Sequence, residues 1–181
     1  MTISFVPMPE SATESRALVE FLTSNRFPFH VRPEHSAESA RKLVEGGRFW
    51  SSESIGFWIE DDGQRIGLVV LDDLEEDTPM FDLWLAEEFR GRGVGVEVLK
   101  ELCAMVFDRF PEIVRFEGQT REDNIAMRKT FLRSGFLKEA HYRQGWPTAD
   151  GTRLASVAYA ILRQDWVNQE ITPFDWEDVS A

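Results

Sequence analysis

Glycines and arginines alternate over residues 90–95, and this is the first feature of the 181-residue sequence that points to chemistry. The glycines stand at 91, 93 and 95, and a helical pattern of apolar residues follows. The first N–H groups of a helix lack internal partners, and the helix dipole adds about half a positive charge there. Because glycine has no Cβ atom, an anion can approach these groups, and Arg90 and Arg92 add positive charge nearby. The segment predicts an anion site, with a purely structural turn as the alternative.

The glycine spacing argues against two other phosphate-binding loops. A P-loop has Lys followed by Ser or Thr after its last glycine, whereas Val96 and Glu97 stand there in this sequence. A dinucleotide fingerprint requires a further glycine or alanine where Val96 or Val98 is found. An anion other than the phosphates of those two ligand classes is therefore expected.

The elements that position this segment follow from hydrophobic periodicity and turn residues. Ser11 and Glu14 form a capping box, and the helix after it is predicted to end near Asn25. The further predicted elements are a loop over 26–35, a helix over 36–45, strands over 54–60, 65–72 and 78–86, a helix from the glycines to about 109, a strand over 112–120, a helix over 124–135, and strands over 136–146 and 153–162.

This order of elements predicts a mixed α/β (α+β) fold that begins and ends with antiparallel strands. The strand–helix–strand unit in the middle supplies a parallel pair. In the strand over 78–86, Phe81, Leu83 and Leu85 are expected on one face. Asp82 and Trp84 are expected on the other face.

Composition restricts the class of protein. The net charge of −12 argues against a general nucleic-acid binder, because that binding depends on neutralisation of phosphates by Lys and Arg. The single cysteine, Cys103, lies in an apolar helical run, so a core position is expected and neither a disulfide nor a thiol metal site. The sequence shows no secretory signal pattern and no membrane-length apolar run. We expect one cytoplasmic domain over 1–181 that binds no metal and no membrane.

Two sequence blocks resemble the GNAT superfamily of N-acetyltransferases. Residues 90–95 match its signature Arg/Gln-x-x-Gly-x-Gly/Ala, and 124–136 match its second block, Asn-x-x-Ala/Ser-x-x-x-Tyr/Phe-x-x-x-Gly-Phe, apart from Met127 at the small-residue position. The segment 139–166 is similar to the tail of the ribosomal-protein N-terminal acetyltransferase branch. The resemblance implies a GNAT-like sheet that is mostly antiparallel, with a splayed parallel pair and helices on both faces.

The resemblance also implies that acetyl-CoA is the co-substrate. Its pyrophosphate would lie on the glycine segment, and its pantetheine arm along the preceding strand, where one backbone N–H would polarise the thioester carbonyl. The second block would form the other wall of the cofactor site. The implied cofactor-binding residues are Leu83, Trp84, Leu85, Arg90, Gly91, Arg92, Gly93, Val94, Gly95, Asn124 and Phe131.

The family's usual proton-transfer residues are missing from this sequence. A glutamate that the family often places before the second block corresponds to Gln119, and its usual tyrosine corresponds to Phe131. A lysine-like amine has a pKa of about 10.4, so it must lose a proton before it attacks the thioester. The candidate bases are Asp82 and Glu117, and the candidate acid is Tyr142.

The predicted acceptor is a primary amine of a small molecule or a protein N-terminus. It would bind under the two N-terminal helices, near the loop that carries His30 and His35. The acidic net charge of the chain weakly favours a cationic acceptor.

The departures from the family pattern at Gln119 and Phe131 leave a second hypothesis open, a catalytically inactive acyl-CoA-binding sensor or interaction module. Edge strands near the C-terminus are compatible with a homodimer.

Overall fold

The computed structural model describes residues 1–176, which form one seven-stranded sheet with helices around it. The strands are β1 (Ile3–Pro7), β2 (Ser54–Asp61), β3 (Gln64–Asp72), β4 (Met80–Leu85), β5 (Arg115–Arg121), β6 (Leu137–Pro147) and β7 (Arg153–Leu162). The helices are α1 (Ala12–Ser24), α2 (Ala37–Glu45), α3 (Val94–Arg109), α4 (Ile125–Arg133) and α5 (Arg163–Asn168), and a short 3-10 turn covers Glu87–Phe89.

The strands follow the order β1-β2-β3-β4-β5-β7-β6, and every neighbouring pair except β4–β5 is antiparallel. The parallel pairing of β4 with β5 covers only Met80 opposite Glu117 and Phe81 opposite Gly118. Beyond these residues the two strands separate. The predicted fold class, including the splayed parallel pair, is confirmed.

Helices cover both faces of the sheet, as predicted. Leu18 of α1 and Val44 of α2 belong to a buried cluster with Trp84 on one face. On the other face, Leu99 of α3 packs in a larger cluster with Phe81. The alternation of β4 thus directs Trp84 to the α1–α2 face and Phe81 to the α3 face, as the period of two requires.

Two elements of the structure were absent from the sequence-based prediction. Strand β1 pairs with β2 at the edge of the sheet, and it is only five residues long and ends in proline. Helix α5 follows the last predicted strand, and its Trp166 packs against Phe107 of α3. Both segments are too short for periodicity to be recognised.

Two further observations bear on the sequence-based expectations. Cys103 is fully buried, and burial raises the pKa of its thiol, so its predicted core position is confirmed. Within residues 1–176, no helix combines the length and the apolar character that a bilayer span requires.

Candidate functional site

The glycine loop ends β4 and opens helix α3. Gly91 has φ 73° and Gly93 has φ 82°, a conformation that side-chain-bearing residues seldom adopt. A Cβ atom added at either position would meet no atom within 4 Å. Gly93 is the N-cap of α3 and offers no side-chain oxygen to the first N–H groups of the helix. These N–H groups therefore face open space that an anion can fill.

A cleft of about 330 Å³ lies between the glycine loop, β4, α4 and the loop after α1. Of the predicted cofactor-binding residues, seven line it: Leu83, Leu85, Arg90, Gly91, Gly93, Gly95 and Asn124. The sequence analysis did not single out Lys129 and Arg133, which also line it from successive turns of α4. Their i, i+4 spacing was the available signal. With Arg90, they give the cleft three cationic side chains.

Strand β4 presents an open backbone edge to this cleft. Ala86 donates its N–H to the Ile66 carbonyl at 2.9 Å, so alternate residues of β4 direct their backbone groups toward β3. Leu83 and Leu85 therefore direct theirs to the opposite side, where β5 has already separated. The side chain of Arg90 reaches back to this edge and donates from Nε to the Leu85 carbonyl at 2.8 Å.

Arg90 is the best-placed cation of the cleft. Its guanidinium lies 5.1 Å from the ring centre of Phe27, and its Nη2 is buried without a hydrogen-bond partner in the described chain. Burial lowers the pKa of Arg90, with partial compensation from the charge of Glu87. A buried N–H without a partner favours an anionic or carbonyl ligand, because leaving it unpaired costs free energy.

The second sequence block forms the far wall of the cleft. Asn124 caps α4: its Oδ1 accepts from the Met127 N–H at 3.2 Å, and its Nδ2 donates to Thr120 Oγ1 at 2.9 Å. Phe131 is fully buried and stacks on Tyr159 with ring centres 4.7 Å apart. It therefore supports the wall from behind.

Three other residues predicted to bind the cofactor point away from the cleft or lie beside it. Trp84 faces the opposite side of the sheet, where it contacts Phe27 and His30. Arg92 and Val94 belong to the loop, but their side chains are not among those that line the cleft. Any contact that these three residues make with a ligand would have to use the backbone or a rearranged side chain.

A second cavity, of about 570 Å³, opens on the α1–α2 face of the sheet. Its walls come from the loop after α1, from α2, and from β3, β4, β5 and β6. The lining side chains are His30, Val31, Arg32, His35, Ser39, Lys42, Leu43, Arg48, Asp72, Met80, Phe81, Asp82, Trp84, Gln119 and Trp146. His30 lines both this cavity and the cleft, so the two spaces lie on either side of this residue.

Asp82 lies at the centre of a charged network in this cavity. Its Oδ1 is 3.2 Å from His30 Nε2, and its Oδ2 accepts from Arg48 Nη2 at 3.1 Å. Arg48 also donates twice to Asp72, at 2.7 and 3.0 Å. Burial alone would raise the pKa of Asp82, but the hydrogen bond from His30 and the charges of His30 and Arg48 outweigh it and lower this pKa to about 2. Asp82 therefore stays ionised and is a weak base.

The other two predicted catalytic residues are not among the lining residues of either cavity. Glu117 accepts from Arg115 at 2.6 Å and from Gln119 at 2.9 Å, which commits its carboxylate to β5. Tyr142 is 50% exposed on the edge strand β6. The structure thus separates Asp82 from its two predicted companions and joins it to His30, which the sequence marked only as one of two loop histidines.

His35 faces the same cavity without any polar contact. Both of its ring nitrogens are buried and lack hydrogen-bond partners among residues 1–176. Burial lowers the pKa of His35, and the charges of Arg32 and His30 lower it further. A neutral imidazole is the consequence.

The structure thus has a cleft with three cationic side chains beside a second cavity, and His30 lines both. Residues 6–137 match the family described as "Acetyltransferase (GNAT) domain". The chain belongs to this family of acetyltransferases, which use acetyl-CoA as co-substrate, and the family predicted from the two sequence blocks is confirmed.

One protein similar in sequence comes from Bacillus subtilis (strain 168) and is named "Putative ribosomal N-acetyltransferase YdaF". It is 26% identical over 111 residues, and the match covers 60% of this chain and 60% of that protein. The chain thus matches less than two thirds of the length of this relative.

Solved structures show the same fold. The RimL alpha-N-protein acetyltransferase of a ribosomal protein, in complex with coenzyme A, has a TM-score of 0.75 at 22% identity, with 90% of this chain and 94% of that chain covered. The spermidine N-acetyltransferase from Vibrio cholerae, in complex with CoA and spermine, has a TM-score of 0.75 at 17% identity, with 92% and 98% covered.

Proposed function

We propose that this protein transfers the acetyl group of acetyl-CoA to a primary amine by direct attack within a ternary complex. The observation that carries the proposal is that the cleft and the second cavity are neighbours, with His30 as a lining residue of both. The cleft would hold acetyl-CoA and the second cavity the amine. Holding both reactants together supplies a large effective concentration of one toward the other, which lowers the barrier without any covalent intermediate.

The coenzyme fits the cleft by its chemistry. The pyrophosphate would accept hydrogen bonds from the N–H groups at the start of α3, with Arg90, Lys129 and Arg133 as cationic partners. The amides of the pantetheine arm would pair with the open edge at Leu83 and Leu85. One of these N–H groups would polarise the thioester carbonyl at the point where β4 and β5 separate.

The residues of the second cavity favour an acceptor in which the amine is attached to an apolar or acidic molecule. The aromatic walls of this cavity are Trp84 and Trp146, and both of its lining carboxylates, Asp72 and Asp82, are bound by Arg48. A polyamine needs free carboxylates for its additional cationic groups. The cavity's chemistry thus runs against the weak expectation of a cationic acceptor that came from the acidic net charge of the whole chain.

A protein or peptide N-terminus meets these requirements, because it carries one amine on a body of variable polarity. RimL, whose fold this chain shares, is an alpha-N-protein acetyltransferase, which supports this class of acceptor. Arg32 at the cavity would bind an acidic side chain of such a peptide, whereas Lys42 is already paired with Glu38 at 2.8 Å.

The test is an assay of thiol release from acetyl-CoA with three acceptor classes: N-terminal peptides, free amino acids and polyamines. We expect peptides with acidic or apolar first residues to have kcat/KM at least tenfold above spermidine. A preference for spermidine would contradict the proposed acceptor. Tight acetyl-CoA binding without turnover on any amine would instead support the inactive sensor.

A further inference from the structure

We infer that His30 takes the proton from the acceptor amine, and that Asp82 and Arg48 hold it in place for this task. The inference rests on the proposed function and adds the proton acceptor that the sequence lacks at Gln119. His30 is placed for this role because it is a lining residue of both the cleft and the second cavity. A reacting amine must occupy the point where these spaces meet.

Several contacts fix the orientation of the His30 imidazole. Its Nε2 is 3.2 Å from Asp82 Oδ1, and its ring centre is 3.9 Å from that of Trp84 and 5.6 Å from that of Phe27. The backbone N–H of His30 donates to the Phe27 carbonyl at 3.0 Å. A loop side chain with these contacts on different sides has lost most of its freedom, which is the preorganisation that proton transfer requires.

The contact with Asp82 also selects the tautomer. A carboxylate accepts hydrogen bonds only, so Nε2 carries the proton and Nδ1 keeps its lone pair. Nδ1 has no hydrogen-bond partner in residues 1–176, and the side chain is 24% exposed. The free nitrogen is therefore available to a bound amine.

Asp82 is a positioning residue in this scheme. Arg48 binds it through Nη2 at 3.1 Å and is itself anchored by two hydrogen bonds to Asp72. Because Asp82 stays ionised, it stabilises the imidazolium that forms when His30 gains a proton. The sequence separation explains why no short motif shows this arrangement: His30 and Asp82 are 52 positions apart.

The proton balance is complete without any further reactant. The acceptor's ammonium group gives one proton to Nδ1 of His30, which passes it to solvent. The neutral amine then attacks the thioester carbon, so that the N–C bond forms and the C–S bond breaks. The second nitrogen proton ends on the departing thiolate, which leaves as free thiol.

His30 shares its two cavities with other charged or titratable groups. They are Arg32, His35, Lys42, Arg48, Asp72, Asp82, Arg90, Lys129 and Arg133. Of these, Asp82 is in direct polar contact with the imidazole. As the general base, His30 must be neutral to accept the proton, so kcat should fall on the acid side of its pH profile, which is called the acid limb here.

The test compares the pH dependence of kcat for the intact protein and its His30→Gln variant, with a peptide acceptor. Glutamine retains a polar contact with Asp82 but accepts no proton at neutral pH. We expect His30→Gln to lower kcat at pH 7 by at least about 100-fold and to abolish the acid limb, in the range known for general bases. The Kd for acetyl-CoA should stay within threefold.

Two other histidines serve as controls. His141→Gln removes an exposed imidazole on β6, outside both cavities, and should leave kcat and its pH profile unchanged. His35→Gln removes the neighbouring imidazole of the second cavity; it should keep the acid limb, whatever its effect on the acceptor KM. Should His30→Gln fail to fold, His30→Asn is measured with the same expectation.

Three outcomes would overturn the inference. The acid limb could persist in His30→Gln with kcat within threefold of the original, or it could disappear in His35→Gln instead. If the unaltered protein binds acetyl-CoA but acetylates none of the amines, the proposed function itself fails and His30 has no proton to accept. The first two results leave the proposed function standing, so the two failures are distinguishable.

Discussion

The cleft at the glycine loop and the second cavity lie side by side, yet they are built by different means. The cleft uses backbone groups: the glycine loop, the start of α3 and the open edge at Leu83 and Leu85. The second cavity uses side chains from distant positions, with His30, Arg48 and Asp82 joined in one network. Backbone groups can bind a ligand that is common to a whole family. An acceptor that differs between family members is bound by side chains, because these can vary.

The most disruptive change should be one that closes the backbone-built cleft. Gly93→Asp places a carboxylate and a Cβ atom in the open space before α3, at a residue with φ 82°. We expect acetyl-CoA binding to weaken by about 100-fold or more, on the order of 2.7 kcal/mol, because a negative charge meets the phosphates. Isothermal titration calorimetry with acetyl-CoA measures this.

A matched control variant distinguishes damage to the anion site from the backbone strain that a side chain causes at a glycine with positive φ. Gly63, in the β2–β3 turn, also has φ 82° and equally open surroundings, but it lies outside the cleft. Gly63→Asp should leave the Kd for acetyl-CoA within twofold. Equal loss in both variants would mean that the glycine loop has no special relation to the coenzyme.

A substitution in the second cavity, which is built from side chains, should change the free energy of unfolding more than it changes the affinity for the coenzyme. Asp82→Asn removes the carboxylate that Arg48 and His30 share, and should destabilise the protein at pH 7 by about 1–2 kcal/mol. Coenzyme affinity should change less than twofold. Urea unfolding at several pH values measures the first quantity and calorimetry the second.

The pH dependence of this stability difference has a definite sign. The pKa of Asp82 is about 2 in the folded chain and 3.8 as the reference value, so its ionised form stabilises the fold above pH 4. The advantage over Asp82→Asn falls to about half near pH 3 and is lost as pH passes 2. An advantage that stays constant from pH 7 to pH 3 would contradict the depressed pKa.

The smallest effect is expected at a residue that belongs to neither region. Tyr142 is 50% exposed on β6 and lines neither cavity. Tyr142→Phe should leave kcat within twofold at every pH from 6 to 9. A loss of tenfold or more would restore Tyr142 as the acid that protonates the thiolate and would mean that β6 moves toward the cleft during turnover.

Much of the fold could be predicted from the sequence because hydrophobic periodicity and helix-capping residues indicate the same elements. Ser11 caps α1 through its side chain, as the capping box predicted, and Phe81 and Trp84 occupy opposite faces of β4. The strand β1 was missed, since five residues beside a proline carry too little pattern. Its pairing with β2 depends on tertiary contacts, which no local signal records.

The candidate site, like the fold, could be predicted from the sequence only in part. The cleft was largely predictable because its groups lie within two short blocks, around Gly93 and Asn124. The pairing of His30 with Asp82 was not, because only the folded chain brings together residues 52 positions apart. Glu117 was a reasonable candidate by strand position, but its neighbour Arg115 occupies its carboxylate.

The unpaired edge of β4 has a consequence for solubility. Exposed strand edges invite another chain to add itself, and this is a common start of aggregation. Here the edge lies inside the molecule, with Phe29 and the rest of its loop on one side and α4 on the other. A polypeptide strand carries side chains on both faces, and these would collide with such walls. The pantetheine arm carries its amides on a slender chain with only small branches, so under the proposed function it would fit between these walls where a foreign strand would not.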